Sequence, residues 1–88
     1  MRKNEKPVRL SGHALQQIRF RGATEQEVTQ AIQDASWTPA EHGRMECRMD
    51  FAFNRTWNTR QYATKQVRPI FVEELQEIVV ITVYVYYF

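Results

Sequence analysis

The spacing of apolar residues changes once along this chain of 88 residues. Up to residue 35 it follows a helix, and from residue 44 it alternates. Ala14, Leu15 and Ile18 share one arc of a helical wheel, bounded by Ser11, a good N-cap, and Gly22, suited to the left-handed position that ends a helix. They predict a short amphipathic helix over 12–21. Thr24 and Glu27 then have the spacing of a capping box, and Glu25 and Glu27 suit the positive end of a helix dipole. Val28, Ala31, Ile32 and Ala35 form a helical stripe, so a second helix runs to residue 35 and the pair makes a hairpin.

WTPAEHG, residues 37–43, is a turn-rich exit broken by Pro39 and Gly43. Beyond it Met45, Cys47, Met49, Phe51 and Phe53 alternate with Arg44, Glu46, Arg48, Asp50 and Asn54, which predicts one half-buried strand about ten residues long. Residues 54–58 read as a loop. RQYATKQVRPIFVEE, residues 60–74, is a second extended segment, in which Pro69 cannot donate to a ladder and marks an edge, an end or a bulge. EELQE reads as a hairpin connection into IVVITVYVYYF, a long strand without a breaker. A short strand fits at Val8–Leu10.

These elements predict an α+β fold: an N-terminal two-helix hairpin packed on one face of a three- to four-stranded antiparallel sheet. In the last strand the odd positions Val79, Ile81, Val83 and Val85 should lie under the helices. Thr82, Tyr84 and Tyr86 should then share the other face with Arg44 and Arg48. Length and composition predict a single domain over 1–88, with residues 1–7 as a flexible arm.

Net charge is only +2, but it is distributed in blocks: +5 over residues 1–22, −4 over 23–43, +4 over 44–72 and −3 beyond. Two basic blocks meeting in space would form a surface for an anionic ligand, phosphate backbone included; the alternative is scattered, solvated charge. The segment MRKNEKPVRL has no apolar stretch of the secretory kind, and residues 78–85 are too few and too β-branched for a membrane helix, so a cytoplasmic protein without a membrane partner is expected. One cysteine, Cys47, excludes an internal disulfide, and with the distant His13 and His42 it offers no metal-ligand spacing. No cofactor is expected.

SGHALQQIRFRGATEQEV, YATKQVRPIFVEE and EIVVITVYVYYF together resemble the small bacterial family called domain of unknown function 4258. The shared pattern is a His-Ala helix start, an Arg-Gly joint and a closing Ile-Thr-Val-Tyr strand. His13, Arg21 and Gly22 fit the helix pattern, Arg68 and Pro69 the third segment, and Thr82 and Tyr84 the closing strand. Gln17 departs from it, standing where relatives carry an arginine, which puts in doubt a catalytic role for that helix face alone. The family is similar in layout to the RelE/ParE toxins, and this resemblance implies two helices followed by a twisted sheet whose open face meets RNA or a target protein.

The activity so implied is that of a toxin-type, metal-independent endoribonuclease of a bacterial toxin–antitoxin pair, the RNA 2′-OH attacking the adjacent phosphorus. Such a reaction needs a proton acceptor, a proton donor and cations for the extra phosphoryl charge. The catalytic candidates are His13, Arg68 and Tyr84, and the substrate-binding candidates are Arg21, Arg44, Arg48, Tyr62, Lys65 and Tyr86. Arginine matches phosphate with a planar fork, histidine suits acid–base work, and tyrosine stacks on bases. The implied partners are RNA, ribosome-bound messenger among the choices, and a cognate antitoxin; a homodimer stays open.

Each candidate also has a purely structural explanation. His13 can bond backbone near the helix start, Arg21 can pair with Glu25, and Tyr62 can cap the sheet. Lys65 and Arg68, three apart, face opposite ways on a regular strand. Tyr84, Tyr86 and Phe88 can be structural or covered by a partner, Phe20 also lacks a covering layer, and Trp37 and Trp57 can close the core. Two further functions therefore stand beside the nuclease: a non-catalytic protein-interaction or inhibitor module, and an RNA-binding domain without cleavage.

Overall fold

The helical hairpin follows from its caps. The structure, a computed structural model, describes residues 6–88; the remainder of the expected arm, residues 1–5, lies outside them. Helix α1 (Gly12–Arg21) starts where the Ser11 hydroxyl accepts from the Ala14 amide and ends at Gly22, whose φ is 81°. Helix α2 (Glu25–Asp34) opens with the capping box in full, Thr24 accepting from the Glu27 amide and Glu27 accepting from the Thr24 amide. Val28, Ala31 and Ile32 are fully buried. Burial of each of the two larger side chains stabilises the fold by roughly 1.5–3 kcal/mol.

The sheet is larger than the alternation predicts, and mixed. Its six strands are β1 (Val8–Leu10), β2 (Thr38–Pro39), β3 (Met45–Glu46), β4 (Met49–Trp57), β5 (Arg60–Glu73) and β6 (Ile78–Tyr87). The order is β1-β6-β5-β3-β2, and β4 pairs with β5 on the same edge as β3. Only β1 is parallel to its neighbour, β6. Lys6 and Pro7, placed in the arm by the sequence, already contact this edge: Lys6 Nζ lies 3.1 Å from a Glu73 carboxylate oxygen, and Ile78 donates to the Pro7 carbonyl at 2.9 Å. Among the described residues no helix is long and apolar enough to cross a membrane.

Three departures from the sequence reading have local causes. The expected strand over 44–54 is two strands, interrupted at Cys47–Arg48. Pro69 stands opposite this gap in the middle of β5. Its carbonyl accepts from the Cys47 amide at 3.4 Å, so its nitrogen faces the same edge and has no hydrogen to offer. The expected loop at 54–58 is instead the end of β4. A bulge at Phe53–Asn54 is accommodated by Asn54 at φ 49°, and the strand then turns through Asn58 and Thr59 at φ 51° and 68°. Two consecutive positive φ values are those of a tight type I′ hairpin.

The third departure changes which side chains face the helices. Phe71 pairs with Val80 but Ile70 pairs with Thr82, so Ile81 is an extra residue in β6. Beyond the bulge the predicted phase holds: Val83 is buried, and Thr82, Tyr84 and Tyr86 share the other face. Before it the phase is reversed, and Ile78 and Val80, not Val79, enter the core. The bulge lies where α1 begins, with the Ser11 amide donating to the Val80 carbonyl and the Ser11 hydroxyl to the Ile81 carbonyl. The core thus lies between the two helices and one sheet face, around Phe71, Val67, Val80 and Val83. Trp37 closes its end, donating to the Ile32 carbonyl at 2.7 Å and meeting Phe71 edge to face.

Candidate functional site

Among the described residues no layer covers the other face of the sheet. Across it, cross-strand pairing sets Arg68 beside Tyr84, Ile70 beside Thr82, Gln66 beside Tyr86 and Glu46 beside Ile70. The turn between β2 and β3 rises along one side, shaped by His42 and Gly43 at φ 60° and 72°. Together these elements enclose a concavity of about 520 Å³, lined by residues that include Arg44, Arg68 and Tyr84 from the sequence candidates, with Glu41, His42 and Glu46.

Arg68 is the organising side chain. Its Nε and Nη2 donate to the two Glu46 carboxylate oxygens at 3.0 and 2.8 Å, a bidentate fork. Its Nη1 donates to the Tyr86 hydroxyl at 3.2 Å, and its guanidinium lies 5.4 Å from the Tyr84 ring centroid. These bonds use three of the five guanidinium hydrogens, and two remain for a ligand. Arg48 joins the cluster at its rim, 3.8 Å from Glu46.

The fork fixes charge as well as position. Hydrogen bonds from Arg68 hold the Glu46 carboxyl below its ordinary value of 4.5, reinforced by the Arg68 and Arg48 charges and opposed by burial. The same pairing, with the Tyr86 bond second, raises the guanidinium above its own ordinary value. Because the carboxyl's value is lower in the folded chain, the pair's contribution to stability is full above the ordinary value and is lost as pH falls through the depressed one. Glu46→Gln is therefore expected to flatten the acid limb: below about pH 4.5 the urea midpoint of the wild type falls more steeply than that of the variant. Equal slopes would mean that the fork contributes nothing.

The remaining candidates divide. Arg21 reaches this region: its Nη1 donates to the Val83 carbonyl at 2.7 Å and its guanidinium also lies 5.4 Å from the Tyr84 centroid. His13 is exposed on α1 and does not line the concavity. Lys65 lies on the helix side of the sheet, 4% exposed, with its Nζ 2.9 Å from Glu27 and 2.9 Å from the Gly22 carbonyl. Tyr62 belongs to an aromatic cluster at the end of the sheet. There Tyr87 stacks on Trp57 at 4.9 Å between centroids, with Phe53 at 5.1 Å and Tyr62 at 5.7 Å. Burial lifts the Tyr87 phenol above its ordinary 10.0, and its hydroxyl donates to the Arg21 carbonyl.

Sequence reasoning did not single out Glu46 or His42 as site residues. Glu46 was legible in principle, since it shares the alternation phase of Arg44 and Arg48. His42 was not, because its place depends on a left-handed turn folding back over the sheet. The concavity sets two cations, Arg44 and Arg68, against two carboxylates, Glu41 and Glu46. It is a balanced site with oriented donors, not a field of uniform positive charge. Comparisons with protein-family models, with curated proteins and with solved structures return no match for the chain.

Proposed function

We propose that the protein is a toxin-type endoribonuclease that cleaves RNA on the open sheet face without a metal ion. The observation that carries this reading is the convergence on one concavity of the Arg68 fork, Arg44, Tyr84, a carboxylate and an imidazole. Cleavage by 2′-OH attack forms the 2′-O–P bond and breaks the P–O5′ bond. The 2′ proton passes to a base, and an acid protonates the departing 5′ oxygen. Of the proton carriers lining the concavity, Glu41, Glu46 and His42, the proposal takes Glu46 as base and His42 as acid, in the role expected of His13. Arg68 and Arg44 stabilise the charge that builds on the phosphoryl oxygens. The resemblance to the RelE/ParE layout supports the same reading and adds an antitoxin that covers this face.

A second reading has its own observation. Tyr84, Tyr86 and Phe88 are exposed at 39%, 41% and 58%, and the charge around them is balanced, as suits a protein-interaction module. Induction of the protein alone, with mapping of RNA ends, separates the two. The nuclease arrests growth and creates new 5′-hydroxyl ends, and His42→Asn, which removes the acid while suiting the backbone at φ 60°, relieves both effects. Harmless expression with intact RNA establishes the interaction module. Salt-dependent RNA binding without new ends establishes a binder that does not cut.

A further inference from the structure

One side chain reaches the open face from the opposite layer. Arg21 closes the last turn of α1, on the helix side, yet it contacts both the Val83 carbonyl and the Tyr84 ring. The Val83 amide donates to Gln17 Oε1 at 2.8 Å, so two side chains of α1 satisfy this stretch of the β6 edge. The edge is open to them because β1 pairs with β6 only from Ile78 to Val80. Arg21 therefore passes round the edge of the sheet. Arg68 meets the same ring from the other flank, since it is the cross-strand partner of Tyr84 on β5. Tyr84 stands between two guanidinium groups.

This arrangement has two consequences for the site. With a guanidinium 5.4 Å from its centroid on each flank, the Tyr84 ring competes poorly as a stacking platform for a base. Arg68 is also held from three directions: Glu46 binds its inner edge, Tyr86 its Nη1, and the Tyr84 ring lies 5.4 Å from it. The position of that ring depends in turn on Arg21. We infer that Arg21 is a positioning residue, which holds Tyr84 upright against Arg68 and so sets the direction in which Arg68 offers its two remaining N–H groups to an oxyanion. Only the identity of that oxyanion, an RNA phosphate, rests on the ribonuclease reading. Tyr86, whose hydroxyl meets Arg68, is the ring left for a base.

The test uses the full chain as wild type, Arg21→Ala, Arg21→Lys, Arg68→Ala and the Arg21→Ala/Arg68→Ala double variant. NMR signals of the Arg68 Nε–H and the Tyr84 ring are followed, alone and with added inorganic phosphate. In Arg21→Ala both signals shift, Nε–H exchange quickens, and the phosphate response at Arg68 weakens. Arg21→Lys keeps a cation near the Val83 carbonyl but not the planar stack, so it restores thermal stability without restoring the Tyr84 signals. In RNA cleavage Arg21→Ala lowers kcat about tenfold with KM little changed, and costs nothing further once Arg68 is alanine. Unmoved Arg68 and Tyr84 signals overturn the inference. So does an equal loss in both backgrounds, or a loss confined to KM, which would mark a direct substrate contact. If the NMR coupling holds but the wild type cleaves no RNA, the positioning role stands and the ribonuclease reading falls.

Discussion

Gly22→Ala is expected to lower stability by about 3 kcal/mol, and the melting temperature by roughly 10–25 °C, one of the largest effects of any single methyl group in this chain. Two costs combine. The residue sits at φ 81°, a left-handed conformation that costs an L-residue with a Cβ about 1–2 kcal/mol. An added Cβ would also lie 2.8 and 2.9 Å from two Trp57 ring carbons, and against the Tyr87 hydroxyl. Neither ring can move freely, since Trp57 and Tyr87 stack on each other and Tyr87 donates to the Arg21 carbonyl. Thermal melts followed by circular dichroism read the result directly. A loss of only about 1–2 kcal/mol would mean that the aromatic cluster yields easily, and that only the φ preference remains. The Gly22 carbonyl also accepts from buried Lys65, so the variant tests the whole joint between helices and sheet.

Arg68→Ala is expected to reduce RNA cleavage by about 10²- to 10³-fold while the protein stays folded. In the ribonuclease proposed above the guanidinium would offer its two remaining donors to the phosphoryl group, and it holds the Glu46 carboxylate in place. Without it, Glu46 loses the fork that now covers both its carboxylate oxygens, and Arg48, at 3.8 Å, is the cation left beside it among the described residues. Its carboxyl is then expected to rise from its depressed value, because the hydrogen bonds and the charge of Arg68 that lower it are gone. Two measurements check this: the rate of formation of 2′,3′-cyclic phosphate, and the carboxyl titration of Glu46 by carbon-13 NMR. Arg68→Lys keeps the charge but not the fork, and is expected to recover little of the rate. Full recovery by lysine would show that a point charge suffices and that fork geometry plays no part.

Much of the fold was legible in residues whose chemistry is local. Ser11, Gly22, Thr24 and Glu27 announced both helices because a cap requires only its own turn. The sheet was legible in type but not in detail. In IVVITVYVYY every position is apolar or β-branched, so a one-residue slip at Ile81 leaves no trace in the alternation. The parallel strand β1 is only three residues long and pairs with a segment some seventy positions away, which no local window could reveal. The site followed the same division. Arg68, Tyr84, Tyr86 and Arg44 came together because strand period alone places them on the open face or its rim. Lys65 went to the other face by that same period, three residues from Arg68. His13, Gln17 and Arg21, spaced at four-residue intervals, share a helix face that serves mainly to satisfy the edge of β6 at Val83, and only Arg21 continues to the open face.

Pro69 has an effect beyond its own missing hydrogen. Because β5 cannot bond a continuous neighbour there, the two segments along that edge are attached through separate ladders: β3, beside the turn that walls the concavity, by Met45 and Glu46, and β4 from Met49 onward. Detaching the wall breaks the bonds of a two-residue strand and the Arg68–Glu46 fork, and leaves the long β5–β6 ladder untouched. Local opening of this wall is thereby separable from global unfolding, so it can give way at less than the molecule's total stability.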